Sequence, residues 1–366
     1  MILYVCTVIE LFMTIRAHKG RGAVSKPAGR FEKRGVELDA EAAFEYAQQA
    51  PQTQLRAMPA NRIISTNSSP DVPFDQSINP YQGCEHGCVY CYARPTHSYL
   101  DLSPGLDFET KIFYKPNSAA LLLEEWTKRN YECKPITIGA NTDPYQPAEK
   151  NLEITRQLLE VFLEHRHPVN IITKSNLISR DIDLLARLAE LDLCSVAISL
   201  PTMNDDLKRV MEPRVPAAKA RLKAMTLLSS SGVPVSSLLA PLIPAINDNE
   251  IESILEAVAS AGARQAQYIF LRLPHELLDI FTAWLETHFP DRKERVLSLM
   301  RQASGGRAYD ARFGVRQTGR GAYADMLASR FRAASRKLGL ESGPYQHALD
   351  CTQFVRPGQQ QMDLGF

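Results

Sequence analysis

The sequence predicts an α/β fold, a partial (β/α)6 barrel of the TIM type that carries an N-terminal and a C-terminal extension. Short, nearly all-apolar runs alternate with helical patterns from about residue 76 to residue 302. This alternation is typical of βα units that build a parallel sheet. Six units are predicted, fewer than the eight of a closed barrel. An open doubly wound sheet is the alternative, and in both folds the loops at the carboxyl ends of the strands carry the chemistry.

The predicted elements follow one another without long gaps. Strands are predicted at 77–82, 135–140, 169–173, 194–200, 234–240 and 267–271. Helices are predicted at 152–165, 182–191, 217–231, 250–261, 275–288 and 291–302. Since the strand segments are apolar on both faces, we expect helices to cover both sides of the sheet.

The composition is that of an ordinary soluble globular protein, with 45% hydrophobic and 23% charged residues among 366. Disordered and fibrous classes are therefore excluded. We expect three regions. Residues 1–75 are a flexible and partly disordered N-terminal extension that is rich in Gly, Pro and Ser from residue 14 onward. Residues 76–302 are the barrel core, and 303–366 are a basic C-terminal extension.

The N-terminus and the cysteines indicate the compartment. Residues 1–13 are apolar but too short to span a bilayer, and they lack the pattern of a signal peptide. We interpret residues 1–12 as an addition from an upstream start codon, with a weak membrane anchor as the alternative. Seven cysteines spread over this length do not form a disulfide framework. The sequence thus predicts a cytoplasmic protein with no membrane partner.

Three cysteines form the strongest motif. Cys84, Cys88 and Cys91 have the spacing C-x3-C-x2-C, and two flanking glycines give the loop the freedom to fold back on itself. Three thiolates are one ligand short of the four that iron–sulfur clusters and structural zinc usually take. An iron–sulfur cluster with one open iron and a zinc site completed by His86 or His97 are both possible on the residues alone.

The motif and several segments beyond it resemble the radical SAM superfamily, and within it the group related to spore photoproduct lyase. The resembling segments are 79–84, 142–149, 173–175, 212–214 and 271–274, and residues 19–23 and 30–32 are similar to the N-terminus of an uncharacterised subfamily. The resemblance implies a [4Fe–4S] cluster on the three cysteines, with S-adenosylmethionine (SAM) bound to the fourth iron. It also implies a flavodoxin- or ferredoxin-type electron donor.

The resemblance implies further contacts to SAM. Asn141, Thr142 and Asp143 match the motif that holds the SAM amino group, and a carboxylate with a hydroxyl suits an ammonium. Lys174 matches the lysine that meets the SAM carboxylate, and Ser199 matches a position at the ribose. Without the resemblance, Thr142 and Asp143 are compatible with a simple turn, Lys174 with an exposed lysine and Ser199 with a buried serine.

The remaining implied contacts lie near the adenine and the carboxylate. Arg214 matches a contact to the SAM carboxylate or to a substrate phosphate, with a surface ion pair as the alternative. Leu239 and Ala240 would pack near the adenine. Tyr90 and Tyr92 flank the third cysteine and would border the adenine, although a plain core tyrosine is the alternative for each.

One departure from spore photoproduct lyase concerns the reaction. The resemblance implies a cysteine just upstream of the acidic residue, which returns hydrogen to the product radical, whereas residues 139–143 contain no thiol. We therefore expect a radical SAM enzyme that abstracts hydrogen from a nucleic acid, in lesion repair or base modification, rather than spore-photoproduct repair itself. A non-enzymatic iron–sulfur or zinc module tethered to DNA-processing machinery is one alternative. A radical SAM enzyme acting on a small molecule or a protein is the other.

The ends of the chain suggest partners. Residues 14–34 carry a net charge of +6 and residues 301–340 carry +7, which leaves −12 for the remainder of a chain whose total is +1. Segregated arginine charge favours a polyanionic partner such as nucleic acid, and solvated surface charge is the alternative. The terminal Gln361, Leu364 and Phe366 resemble the peptide that docks in the bacterial sliding clamp. A frayed tail is the alternative there.

Overall fold

The computed structural model describes residues 17–31, 51–342 and 349–358, which form two sheets with helices packed around them. The strands are β1 (Gln54–Ala57), β2 (Ile64–Thr66), β3 (Gln76–Ile78), β4 (Tyr81–Gln82), β5 (Lys111–Tyr114), β6 (Ile136–Ile138), β7 (Val169–Thr173), β8 (Cys194–Ser199), β9 (Val235–Leu242), β10 (Gln265–Phe270) and β11 (Glu341–Ser342). The α/β class predicted from the sequence is confirmed.

The larger sheet forms the wall of the barrel. Its strand order is β11–β10–β9–β8–β7–β6–β3–β2. Six neighbouring strands, β3 and β6 to β10, pair in parallel, one for each predicted βα unit. Strand β2 pairs antiparallel with β3 at one edge, and β11 pairs with β10 at the other. Within the described residues these two edges do not pair with each other, so the barrel is open.

The helices cover the outside of this wall. They are α1 (Leu106–Thr110), α2 (Ser118–Thr127), α3 (Glu149–Leu152), α4 (Ile154–Glu164), α5 (Ile182–Glu190), α6 (Asp205–Met211), α7 (Ala218–Ser230), α8 (Ile251–Ser260), α9 (Leu277–His288), α10 (Lys293–Ala303) and α11 (Ala322–Lys337). The six helices predicted beyond residue 150 are found as α4, α5 and α7 to α10, with ends within two residues of those predicted. In α5, for example, Leu184, Leu185 and Leu188 form the buried face.

The smaller sheet, ordered β1–β5–β4, frames the cysteine loop. Strand β4 ends at Gln82, directly before the loop, and β5 follows α1 on its other side. Strand β1 belongs to the predicted N-terminal extension and pairs in parallel with β5. The loop and the helices that follow it therefore lie between two strands, β4 and β5, that pair with each other.

Both extensions contribute to the core where they are described. Strands β1 and β2 lie in the predicted region 1–75, while α11 and β11 lie in the region 303–366. The last described segment packs on the core through Phe354, whose ring centroid is 5.4 Å from that of Trp126. Residues 1–12 and the clamp-like Gln361, Leu364 and Phe366 lie outside the described residues, and their roles stay predictions. None of the helices in the described ranges has the length and apolar character needed to cross a bilayer.

His167 is a buried neutral histidine in this packing. Its ring stacks on Trp126 with centroids 4.5 Å apart. The Nδ1 atom lies 3.0 Å from the Pro168 carbonyl oxygen, and the Nε2 atom lies 2.7 Å from the Tyr131 hydroxyl. Desolvation by burial lowers the pKa of His167 to about 3. The unfolded chain therefore binds a proton at mildly acidic pH that the folded chain does not bind.

Folding stability is expected to fall as the pH drops from about 6.5 towards 4, because protonation favours the unfolded state in that window. One such histidine contributes about 1.4 kcal/mol per pH unit. Urea unfolding of the wild type and of His167→Phe should be compared from about pH 7 to pH 5. The wild type should lose the larger free energy of unfolding per pH unit, and equal slopes would contradict the assignment.

Candidate functional site

The cysteine loop runs from β4 to the 3-10 helix Arg94–Leu100. The Cys84 amide donates to the Phe108 carbonyl at 2.9 Å, and the Cys91 amide donates to the Cys88 carbonyl at 3.2 Å. Gly87 reverses the chain between the first two cysteines with φ of +68°. A Cβ atom at Gly87 would lie 2.7 Å from Glu109 Oε2, so both the backbone angle and the space require glycine.

The three cysteines line a single cavity of about 190 Å³. Burial raises the pKa of the thiols of Cys84, Cys88 and Cys91. The thiolate is the metal ligand, so a centre that binds here must displace the protons. Within the described part of the chain, no three histidine, cysteine or acidic side chains are grouped so that they could hold a single metal ion. A [4Fe–4S] cluster would instead take each of its thiolates on a separate iron.

A second part of the cavity wall comes from the carboxyl ends of the parallel strands. Asp143 follows β6, Lys174 follows β7, Ser199 ends β8, Ala240 lies in β9 and Arg272 follows β10, and all five line the cavity. Carboxyl ends of parallel strands meet at one end of a barrel. The fold thus places one carboxylate and two cations in the same cavity as three thiols.

Asp143 is the acidic group of this wall, with a side chain that is 9% exposed. Its Oδ1 accepts from the Thr173 hydroxyl at 2.7 Å, its Oδ2 accepts from the Lys174 amide at 2.7 Å, and His86 Nδ1 lies 3.3 Å from Oδ2. Burial opposes its ionisation, but His86 and these hydrogen bonds outweigh burial and lower the pKa of Asp143 below its usual value. A fixed carboxylate is therefore available to an ammonium group.

Lys174 is the cation of the same wall and is held by Glu212. Its Nζ lies 3.5 Å from Glu212 Oε1 and 3.3 Å from the Ala240 carbonyl oxygen. Glu212 also accepts from the Tyr90 hydroxyl and, at 2.8 Å, from Arg221. Burial opposes ionisation of Glu212, yet Arg221 and Lys174 lower its pKa below the usual value. The ammonium of Lys174 is thus positioned at the cavity wall.

Tyr92, Asn141 and Arg272 also line the cavity. The Tyr92 hydroxyl donates to the Ala140 carbonyl, and the Arg272 guanidinium lies 5.3 Å from the centroid of the Tyr92 ring. Tyr92 is 45% exposed, so this ring marks the mouth of the cavity. The Asn141 amide donates to the Asn79 side chain at 2.9 Å, which fixes the turn after β6.

Three of the sequence-predicted residues do not line the cavity. The Thr142 hydroxyl donates to the Tyr81 carbonyl at 2.7 Å and is buried among the turns. The Arg214 guanidinium pairs with Glu85 at 2.7 Å rather than facing the thiols. Leu239 is buried in the core, and the neighbouring Leu238 lines the cavity instead, because successive side chains of a strand alternate between its two faces.

Three residues have roles at the site that were not predicted from the sequence, where His86 was considered only as a ligand that could complete a zinc site. Glu212 is fully buried and orders both Lys174 and Tyr90. His86 lines the cavity, and its buried Nε2 has no hydrogen-bond partner within the described residues. Arg272 forms part of the mouth. All three lie in segments that resemble the family, although their types alone assign no contact.

The residues present fit the cofactors that the resemblance implies. Three thiols that converge on one cavity supply three of the four ligands of a [4Fe–4S] cluster. Asp143 and Lys174 offer opposite charges to the amino and carboxylate groups of SAM. The unpartnered His86 Nε2 leaves one polar group of the wall available to a bound molecule.

Curated relatives match over most of their length. A protein of Mycobacterium tuberculosis strain H37Rv is 34% identical over 233 residues, which are 63% of this chain and 68% of the relative. A protein of Methanocaldococcus jannaschii is 27% identical over 218 residues, which are 59% of this chain and 77% of the relative. Both are described only as uncharacterized proteins.

Solved structures share the fold. Spore photoproduct lyase complexed with dinucleoside spore photoproduct matches with a TM-score of 0.58 at 16% identity, over 84% of this chain and 86% of that chain. The same enzyme with bound AdoMet and the dinucleoside matches with a TM-score of 0.57. The family described as Radical SAM superfamily matches residues 78–258. This chain therefore belongs to the radical SAM superfamily, and its cofactors are a [4Fe–4S] cluster and SAM.

Proposed function

We propose that this radical SAM enzyme acts on nucleic acid, from which it abstracts a hydrogen atom in lesion cleavage or base modification. When bound and reduced by an external one-electron donor, the cluster would pass one electron to SAM, which would yield methionine and a 5′-deoxyadenosyl radical able to take a hydrogen atom from a substrate carbon. The protein must hold the cofactors, exclude water and position the substrate.

The chain's own residues divide these tasks. Cys84, Cys88 and Cys91 hold the cluster. Asp143 receives the SAM amino group and Lys174 its carboxylate, because their charges are complementary and already fixed by hydrogen bonds. The same fixed geometry means that little reorganisation is needed when SAM binds.

A basic and aromatic surface beside the cavity mouth carries the proposal of a nucleic-acid substrate. Arg272 lines the cavity, and its guanidinium lies 3.4 Å from the Tyr309 hydroxyl in the C-terminal extension. The segment around Tyr309 exposes Arg307 and Phe313, and Phe313 is 57% exposed. Arg312 is exposed as well, with its guanidinium paired to Asp310 at 2.6 Å. Arginine and exposed aromatic rings are the side chains that contact phosphates and stack on bases.

The shared fold suggests a reaction like that of spore photoproduct lyase, but the positions of the other cysteines do not support it. Spore photoproduct lyase, whose fold this chain shares, has been solved with a dinucleoside photoproduct. Residues 139–143 nevertheless contain no cysteine, Cys133 precedes β6, and Cys194 begins β8. Both of these thiols are at the amino ends of their strands, away from the cluster cavity. We therefore do not assign repair of the spore photoproduct.

Substitution of the three cluster cysteines tests the enzyme class. Cys84→Ala/Cys88→Ala/Cys91→Ala should lose iron, the visible absorbance of the cluster and the production of 5′-deoxyadenosine, because no thiolate ligand remains. The matched control removes the three thiols Cys133, Cys194 and Cys351, which should retain all three signals. Iron content after anaerobic reconstitution is the primary measurement, and a triple variant that kept its cluster would refute the ligand set.

Lys174→Met tests the SAM carboxylate contact. Binding of SAM to the reconstituted protein should weaken about tenfold, the effect of losing one charge-assisted hydrogen bond. Iron content should not change, because Lys174 is not a ligand. Lys150→Met, on the exposed surface of α3, serves as the control. An unchanged dissociation constant in Lys174→Met would remove this lysine from the SAM site.

The nucleic-acid proposal is tested by affinity and by turnover. DNA binding is measured by fluorescence anisotropy at several salt concentrations. In Arg307→Ala/Arg312→Ala the affinity should fall by about tenfold, and the slope of the logarithm of the binding constant against the logarithm of the salt concentration should become shallower by about two. Arg336→Ala/Lys337→Ala, at the end of α11, removes the same charge and should stay within about twofold of the wild type.

Turnover then identifies the substrate. DNA or RNA added to the reduced, reconstituted enzyme should increase the yield of 5′-deoxyadenosine, and deuterium in the nucleic acid should appear in that product. Cleavage of SAM without stimulation by any nucleic acid, together with equal DNA affinity of both double variants, would favour a small-molecule or protein substrate.

A further inference from the structure

The N-terminal segment 19–25 packs directly on the cysteine loop. Its residues Gly22, Ala23, Val24 and Ser25 are buried, whereas Lys19 is exposed. None of the segment's residues lines the cavity that contains Cys84, Cys88 and Cys91. Its contacts therefore reach the loop from outside the cavity.

Gly22 makes the closest approach. A Cβ atom at Gly22 would lie 1.8 Å from the Gly87 carbonyl oxygen and 3.2 Å from the Val89 amide nitrogen. Both neighbours are backbone atoms between the first and third cysteines, so they cannot move aside without moving the loop. Only glycine permits the two chains to lie this close.

Glu109 joins the segment to the loop. Its carboxylate accepts from the Gly22 amide at 3.0 Å and from the Ala23 amide at 2.8 Å, and it pairs with Arg94. Arg94 in turn donates to the Cys88 carbonyl at 2.9 Å. The Glu109 and Arg94 side chains are fully buried. A continuous chain of hydrogen bonds thus leads from the N-terminal segment to a cluster-binding cysteine.

Arg21 ties the same segment to a second side of the loop. It donates to the Glu109 carbonyl at 2.9 Å, to the Pro51 carbonyl at 2.7 Å and to the Thr53 hydroxyl at 3.0 Å. Thr53 also accepts from Arg214 at 3.2 Å, and Arg214 pairs with Glu85 inside the cysteine loop. Arg214, expected at SAM or a phosphate, belongs to this network.

We propose that segment 19–25 positions the cysteine loop for the cluster, with Gly22 and Arg21 as its positioning residues. The segment acts through Glu109, Arg94 and the loop backbone, and it touches neither the thiols nor SAM. Its basic residues then differ in role, because Arg21 is engaged inside the protein while Lys19 faces solvent. This positioning role is independent of the identity of the substrate.

Three single variants of the full-length holoenzyme test the proposal. Gly22→Val drives a side chain into the Gly87 carbonyl, Arg21→Ala removes three hydrogen bonds, and Lys19→Ala removes a neighbouring charge of the same kind. After anaerobic reconstitution, cluster loss to a ferrous-iron chelator should be about tenfold faster in the first two variants, as for residues that orient metal ligands. Lys19→Ala should match the wild type.

A second measurement separates positioning from general stability. The electron paramagnetic resonance spectrum of the reduced cluster should change in Arg21→Ala, because displacement of the loop alters the thiolate geometry, whereas a purely structural role would leave the spectrum unchanged. Far-UV circular dichroism confirms that each variant is folded, and Arg21→Ala decides the matter if Gly22→Val does not fold. Wild-type chelation rates and spectra in Arg21→Ala would overturn the proposal, as would an equal effect of Lys19→Ala.

Discussion

The cysteine loop depends on the buried ion pair between Arg94 and Glu109, both of which are 0% exposed. The loop has little regular structure, so its conformation must come from side chains that bind its backbone. Arg94 does so at the carbonyls of Cys88 and Gly87, while Glu109 receives two amides of the N-terminal segment. A buried pair is stable only when each charge is also satisfied by further hydrogen bonds, and removal of one partner costs about 3–5 kcal/mol. The loop, the barrel and the N-terminal segment meet at this pair.

Glu212 has the corresponding role at the cavity. It is fully buried, pairs with Arg221 at 2.8 Å, and holds Lys174 and Tyr90. The adjoining backbone also reaches the loop, since the Arg214 amide donates to the His86 carbonyl at 3.3 Å. Two buried carboxylates therefore fix the two sides of the site, Glu109 behind the loop and Glu212 at the cavity wall. Each of them is neutralised by an arginine, so the charge that Lys174 presents to a ligand is set before the ligand arrives.

The sequence predicted the barrel, and it grouped three cysteines that line one cavity, because both depend on local patterns. Alternation of apolar runs and helical periodicity placed β7 at its observed ends and the later helices within two residues. The spacing singled out the three cysteines, and the resemblance to the radical SAM superfamily assigned them to a cluster. Arg214 and Leu239 were placed less well because their environments depend on distant partners. Arg214 meets Glu85, which lies 129 positions away in the chain, and the face that Leu239 presents depends on strand register. The contact between Gly22 and Gly87 likewise joins segments that no periodicity connects.

Some arginines of the C-terminal extension form ion pairs with the rest of the protein, and others are exposed. Arg316 pairs with Asp71 and Arg330 pairs with Glu252, so part of the net charge of +7 carried by residues 301–340 attaches this part of the chain to the rest of the protein. Such contacts neutralise the guanidinium groups and reduce the positive surface charge that could attract a polyanion. They also fix the position of the exposed Arg307 and Phe313 next to Tyr309 and the cavity mouth. The net charge of the extension therefore says less about nucleic-acid binding than the location of its exposed arginines, which the attached ones determine.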